Sequence, residues 1–195
     1  AGGWVHVGAL PDRLYTSGLP LSLALDGTGR RMACANATGW TLYTRNAPAM
    51  YSDEQGVVSA PAVALSLDAR GMTLAALTST AVLIYTADTT TAPFELRTTV
   101  SLPATETWLA MTMSGDGKQL IVSGAAHSIV FTRTGEGWDQ ALTADMPLPY
   151  AAINTDGTLA TGVEATLLRT RGLQNARNLT TPLTTEPSTV GGVAL

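Results

Sequence analysis

The apolar residues of this chain fall in short runs of about four to six positions, separated by clusters of Gly, Asp, Ser and Thr. Runs of this length, bounded by turn residues, are typical of β-strands. The clearest runs are rich in β-branched and aromatic residues, which favour strands. They are TLYTR (41–45), VLIYTA (82–87), IVFTR (129–133) and TLLRT (166–170). Because no stretch carries a helical apolar stripe, the pattern predicts an all-β fold.

The pattern of runs and turns repeats roughly every forty residues, which is the signature of a repeat architecture. Each copy has an apolar run, a turn with Asp or Gly, a second run, a break of small residues and a third run ending near Thr. The copies are clearest at 22–45, 62–87, 109–133 and 151–171. Their turn glycines are Gly29, Gly71, Gly117 and Gly157, and their closing threonines are Thr44, Thr86, Thr132 and Thr170. The glycines and the threonines recur at nearly the same spacing from copy to copy, so we interpret the copies as structural repeats.

A fourth strand in each repeat is predicted from the runs at 94–102, 138–143 and 175–181. Four strands in about forty residues is the size of a β-propeller blade, a sheet that stacks against its neighbours around a central channel. We therefore expect one all-β domain over 1–195 with about four four-stranded blades. The expected repeat units are 20–60, 61–106, 107–148 and 149–190.

Composition restricts the partners. Charged residues make up 13% of the chain, against about 25% in an average soluble domain. The formal net charge is −4, and no basic cluster exceeds the pair Arg30-Arg31. Nucleic acid requires several basic phosphate contacts, so we do not expect it as a partner. Cys34 is the only cysteine, which excludes an internal disulfide, and no apolar run approaches the roughly 18 residues of a membrane span.

Two segments resemble known propeller repeats. SGDGKQLIVSG (114–124), followed by SIVFTR (128–133), resembles the WD-repeat and TolB-like pattern, in which Ser-x-Asp-Gly-Lys-x-Leu joins the first two strands. IVFTRTGEGWDQAL (129–142) is similar to the FG-GAP repeats of integrin-type propellers. The resemblance covers residues 20–180 and implies a β-propeller. The chain departs from both families. The Gly-His and Trp-Asp dipeptides of WD repeats are missing at the expected strand ends, since the one Trp-Asp, Trp138-Asp139, lies in the FG-GAP-like position, and the acidic calcium loops of integrin-type repeats are missing too.

The two ends of the chain resemble parts of further blades. Gly3-Trp4 and the strand-like residues after it are similar to the sequence from Gly137, so we expect 3–10 to be the outer strand of an incomplete blade. Residues 192–195 resemble the beginnings of the inner strands and are expected to start the next blade. A window of a longer propeller, an imperfectly closed four-bladed ring and a ring of two chains all fit. Unpaired strand edges invite pairing, which favours the first and third.

Gly115-Asp116-Gly117-Lys118 has the composition of a ligand loop. A phosphate loop needs a helix after its lysine, whereas Lys118 precedes a strand and the other repeats lack the lysine. A calcium loop needs about six to eight oxygens, whereas each repeat has a single turn acid. These acids are Asp26, Asp68, Asp116 and Asp156. We therefore predict hairpin turns capped by Asp, with no cofactor and no metal ion.

Histidines and tryptophans are the remaining candidates for a site. The chain has only His6 and His127, and neither lies at a fixed spacing from a nucleophile or an acid. We therefore predict no catalytic residue and expect that the chain is not an enzyme. Turn-flanking aromatic and polar residues are predicted to contact a partner or a glycan. These residues are Trp40, Trp138 and His127.

Three functions fit the sequence. The first is a non-catalytic propeller scaffold that docks proteins, or other copies of itself, in a larger assembly. The low charge and the Thr and Ala content favour a structural component at a virion or extracellular surface. The alternative is a glycan-binding, lectin-like propeller. The third is a propeller hydrolase or lyase with its site at the channel mouth, where the inner strands offer Ser22, Ser66, Thr112 and Asn154.

Overall fold

The computed structural model is built of β-strands, and no helix occurs in the residues it describes. Those residues are 22–36, 38–47, 50–58, 61–144, 151–164, 167–172 and 178–182. The strands predicted at 3–10 and 192–195 lie outside this part of the chain. Within it, no helix is long and apolar enough to cross a membrane.

The described strands form four antiparallel sheets, each made of four consecutive strands, and we number these sheets blade 1 to blade 4. Blade 1 consists of β1 (Ser22–Leu25), β2 (Arg31–Asn36), β3 (Gly39–Ala47) and β4 (Met50–Val58). Blade 2 consists of β5 (Ala64–Leu67), β6 (Thr73–Leu77), β7 (Ala81–Thr86) and β8 (Glu95–Ser101). Blade 3 consists of β9 (Trp108–Met113), β10 (Gln119–Gly124), β11 (Ser128–Thr134) and β12 (Gly137–Ala144). Blade 4 consists of β13 (Ala152–Ile153), β14 (Leu159–Glu164), β15 (Leu167–Gly172) and β16 (Asn178–Pro182).

The first turn of each blade contains the repeated glycine in a left-handed conformation. Gly29, Gly71, Gly117 and Gly157 have φ values of 63°, 67°, 70° and 71°. Only glycine adopts this region without strain, which explains why the residue recurs in every repeat. The turn acids cap these turns, since Asp26 Oδ1 accepts the Arg30 N–H at 2.8 Å and Asp68 Oδ1 accepts the Met72 N–H at 2.7 Å. The predicted hairpin turns are therefore present.

The core lies between neighbouring blades, because alternate residues of each strand point to opposite faces of its sheet. Trp40 and Leu42 of blade 1 pack with Leu74 and Tyr85 of blade 2 in one buried cluster. Similar clusters join blade 2 to blade 3 and blade 3 to blade 4. A single blade would leave both faces exposed, so each blade depends on the next for its stability.

Each blade has two ends. The first turns lie at one end, which we call the turn end. The β8–β9 connection and the second turns of blades 2 and 3 lie at the other end, which we call the connection end, because consecutive antiparallel strands reverse direction. The residues of the candidate site lie at the connection end of blade 3.

Candidate functional site

A groove of about 400 Å³ opens at the connection end of blade 3. It is lined by residues from the β8–β9 connection, from the start of β9, from the turn between β10 and β11, and from β11 and β12. These residues are Pro103, Thr105, Glu106, Trp108, His127, Ile129, Gln140 and Thr143. Trp108 and Ile129 are buried and form its apolar floor, whereas Gln140 and Thr143 are exposed on its rim. An apolar floor with a few polar groups is the usual construction of a ligand-binding site.

Glu106 and His127 form a hydrogen-bonded pair on the rim. Glu106 Oε2 lies 2.7 Å from His127 Nδ1, and Glu106 Oε1 accepts the Ala126 N–H at 2.7 Å. The side chain of Glu106 is only 9% exposed, whereas that of His127 is 47% exposed. The carboxylate is thus fixed on two sides, and the imidazole reaches solvent.

Glu106 replaces a turn cap that blade 3 lacks. In blades 1 and 2 the second turn is capped by its own first residue: Asn36 Oδ1 accepts the Thr38 N–H at 2.9 Å, and Thr78 Oγ1 accepts the Ala81 N–H at 3.0 Å. The equivalent residue of blade 3 is Gly124, which has no side chain to offer. A Cβ at this position would collide with Glu106. Gly124 therefore both removes the local cap and makes room for the distant carboxylate.

The hydrogen bonds of the pair affect the pKa of Glu106 and the position of the proton on the His127 ring. The hydrogen bond from His127 and the bond from the Ala126 N–H lower the pKa of Glu106 below its ordinary value. A carboxylate can only accept, so the proton of a neutral His127 lies on Nδ1. The Nε2 atom is then an acceptor, and the 47% exposure of the side chain makes it accessible to a ligand or to water.

Of the three predicted contact residues, only His127 lines the groove. Trp40 is 0% exposed and packs edge-on against Tyr85, with ring centroids 5.0 Å apart. The predicted partner or glycan contact at Trp40 is therefore wrong, because this indole belongs to the core between blades 1 and 2. Trp138 lies in β12, is half-buried, and packs against the core between blades 2 and 3.

The inner-strand hydroxyls are used within the fold. Ser22 Oγ accepts the Leu65 N–H at 2.9 Å, and Ser66 Oγ accepts the Met113 N–H at 3.1 Å. Both bonds join the inner strands of neighbouring blades. The sequence offers these two serines for a site at the channel mouth, whereas in the structure their hydroxyls accept hydrogen bonds at the blade junctions.

The other chemical candidates are structural. Lys118 is exposed, and its Nζ lies 3.7 Å from Asp116 Oδ2 in the turn between β9 and β10. Cys34 is buried, and burial raises the pKa of its thiol to about 11, which suppresses the reactive thiolate. No group of three or more His, Cys, Asp or Glu side chains in the described residues could hold a metal ion.

Sequence reasoning missed Glu106. It lies 21 residues from His127, in the connection between β8 and β9, and no spacing in the sequence links the two residues. The available signal was Gly124, the only one of the three equivalent turn residues that cannot cap its own turn.

Comparison with known proteins shows the fold. No protein-family model matches the sequence, and no curated protein sequence is significantly similar to it. Among solved structures, Sqt1 of Saccharomyces cerevisiae is similar with a TM-score of 0.62 and 11% identity, over 82% of this chain and 46% of that one. The β-propeller domain of Cps50 (Swd1) from Myceliophteria thermophila has a TM-score of 0.58 and 15% identity, over 80% of this chain and 52% of that one. These similarities confirm the predicted all-β propeller fold.

A third similar structure corrects the prediction about catalysis. A protein of Bacteroides uniformis assigned as a 6-phosphogluconolactonase has a TM-score of 0.66 and 13% identity, over 91% of this chain and 58% of that one. The expectation that the chain is not an enzyme is therefore contradicted, because the same fold occurs in a protein assigned to an enzyme class. The structure also places Glu106 beside His127 as an acid–imidazole pair, which the spacing of residues in the sequence did not show. The chain spans about half the length of all three solved chains.

Proposed function

We propose that this propeller docks a short segment of a partner protein in the groove of blade 3. The observation that carries the proposal is the construction of the groove, with a buried floor of Trp108 and Ile129 and an exposed polar rim. Protein interfaces concentrate their binding energy in such apolar pockets surrounded by polar groups. The volume of about 400 Å³ lies in the range of ligand pockets.

The rim supports the proposal because it is held in place before a partner arrives. Glu106 ties the β8–β9 connection to the turn at Ala126 and His127. On the other side, Gln140 Nε2 donates to Thr143 Oγ1 at 2.8 Å. A preformed site loses less conformational entropy on binding. A partner segment would place an apolar side chain on the floor and a hydrogen-bond donor at His127 Nε2.

Selection of peptides from a random displayed library tests this proposal. We expect selected peptides to bind the chain and to lose at least about tenfold in affinity, or about 1.4 kcal/mol, with Gln140→Arg, which places a long charged side chain in the groove. Thr99→Arg, on the exposed outer strand of blade 2, is the matched control and should leave binding unchanged. Failure to select any peptide, or equal binding to both variants, would contradict the proposal.

A second candidate is hydrolysis of a lactone or a small ester, and the Glu106–His127 pair favours it. With its Nδ1 proton held by Glu106, His127 presents Nε2 as a general base that could take a proton from water. Activity against a panel of aldonolactones and chromogenic esters should fall about 10²- to 10⁴-fold in His127→Ala. Wild-type turnover equal to that of His127→Ala would contradict it.

The remaining expectations are proposals supported by sequence. The low charged fraction of 13% supports an extracellular or virion-surface assembly. The exposed rim groups Gln140 and Thr143 would also suit a glycan, which binding to a glycan array would test. The Ser-x-Asp-Gly-Lys turn at 114–118 supports a WD-repeat-like assignment of blade 3.

A further inference from the structure

The charged residues of blades 2 and 3 are divided unevenly between the two ends. The connection end of these blades consists of the second turns, 78–80 and 125–127, and the β8–β9 connection, 102–107. In these three segments Glu106 is the only Asp, Glu, Lys or Arg. The first and third turns, at the turn end, contain both acids and bases, namely Asp68, Arg70, Asp88, Asp116, Lys118 and Glu136. The groove therefore opens among loops that carry a single formal negative charge.

Glu106 carries this charge in a nearly buried position. Its side chain is 9% exposed, and the hydrogen bonds from His127 and from the Ala126 N–H lower its pKa, so that the carboxylate is ionised at neutral pH. Acidic side chains are rarely buried unless an opposite charge pairs with them. In the described part of the chain, the basic group in contact with this carboxylate is the His127 imidazole, at 2.7 Å. Glu106 thus has a counter-charge there only when His127 is protonated.

The protonation of His127 also determines what the groove offers to a partner. When the ring is neutral, Nδ1 donates to Glu106, Nε2 is an acceptor, and the pair has a net charge of about −1. When the ring is protonated, Nε2 becomes a donor and the net charge of the pair is zero. Imidazole side chains change between these states at about pH 5–8. The other polar side chains that line the groove, Thr105, Gln140 and Thr143, are uncharged.

We propose that the groove takes a basic segment, whose lysine or arginine donates to His127 Nε2 beside the Glu106 carboxylate while an adjacent apolar side chain lies on Trp108 and Ile129. This inference rests on the docking function proposed above and adds the chemistry of the partner. The cation of the partner and the proton of His127 are alternative counter-charges for the same carboxylate. Because only the neutral ring accepts the cation, affinity should fall by up to about tenfold per pH unit once the ring is mostly protonated.

Peptides selected from the displayed library at about pH 8, and sensitive to Gln140→Arg, are the probes for this inference. We expect each to contain a lysine or arginine whose replacement by glutamine lowers affinity at least about tenfold. Glu106→Gln should weaken the basic peptide to a similar extent and should have little further effect on the glutamine-substituted peptide, because the two changes remove the same interaction. Glu136→Gln is the matched control, since it removes the same charge in the β11–β12 turn at the other end of blade 3, and it should leave the affinity of the basic peptide unchanged.

Calorimetry at about pH 6, in two buffers with different ionisation enthalpies, tests the competition with the proton. Binding of the basic peptide should release protons from the wild type and none from His127→Gln, which cannot titrate in this range. Affinity that survives replacement of the base, or binding to the wild type without proton release, would overturn this inference and leave the docking proposal intact. If no selected peptide is sensitive to Gln140→Arg, both proposals are wrong.

Discussion

Replacement of Arg31 by Met should strongly weaken the junction between blades 1 and 2. Arg31 is 0% exposed. Its Nη1 donates to the Gly71 carbonyl at 2.7 Å, its Nη2 donates to the Ala92 carbonyl, and its guanidinium carbon lies 5.0 Å from the centre of the Phe94 ring. Methionine fills most of the same volume but offers no donor.

The magnitude follows from the contacts that would be lost. Hydrogen bonds made by charged groups contribute about 1.5–3 kcal/mol each, and a desolvated cation–π contact contributes about 2 kcal/mol. Removal of a buried charge returns part of its desolvation cost, and the methionine recovers part of the packing. We therefore expect the free energy of unfolding to fall by about 3 kcal/mol.

Urea titration followed by circular dichroism measures this change, provided that the slope of the transition is the same in both proteins. Arg97→Met is the control, because Arg97 is 45% exposed and its ion pairs with Asp88 and Glu95 lie at the surface. Surface pairs contribute about 0–1 kcal/mol. A loss below about 1 kcal/mol for Arg31→Met would refute the reasoning and show that the desolvation cost balances the contacts.

Three further predictions concern the groove and the turns. Gly124→Ala should displace Glu106, and nitrogen NMR of the His127 ring should then show that the proton is no longer confined to Nδ1. Because the folded-state pKa of Glu106 lies below its ordinary 4.5, its contribution to stability is complete above that pH and is lost as the pH falls through the lowered pKa. The difference in melting temperature between the wild type and Glu106→Gln should accordingly shrink from pH 6 to pH 3. Gly135→Ala should lower the free energy of unfolding by about 1–2 kcal/mol, because residue 135 has a left-handed backbone. Gly157→Ala should lower it further in urea titration, because a Cβ at residue 157 would also collide with Gln119, whereas a Cβ at residue 135 would meet nothing within 4 Å.

The sequence predicts the turns well because their requirements are local. A left-handed turn position excludes most side chains, so Gly29, Gly71 and Gly117 recur at a readable spacing. The strands can also be predicted from neighbouring residues, because a short strand requires only alternating apolar and polar positions between turn residues. These two signals are sufficient to predict the fold class.

The burial of individual side chains and the contacts they make depend on the neighbouring blade, and they could not be predicted from the local sequence pattern. Arg31 belongs to the most basic pair of the sequence, yet it is fully buried because the carbonyls of Gly71 and Ala92 lie across the junction. Trp40 flanks a turn, yet blade 2 covers it completely. Contacts across a junction join residues about forty positions or more apart, and the sequence pattern does not show which side chains meet.

The missing turn cap at Gly124 bears on how new chemistry can arise in a repeat protein. In blade 1 the second turn is capped by its own residue, since Asn36 Oδ1 accepts the Thr38 N–H. Loss of one side chain releases a donor, and a carboxylate from elsewhere in the chain can replace it, as Glu106 does at Ala126. The replacement brings an acid beside the imidazole of His127, a pair that the self-capped second turns of blades 1 and 2 do not contain. In proteins of this kind, the copy that departs from the shared turn pattern is the place to search for a reactive or recognising group.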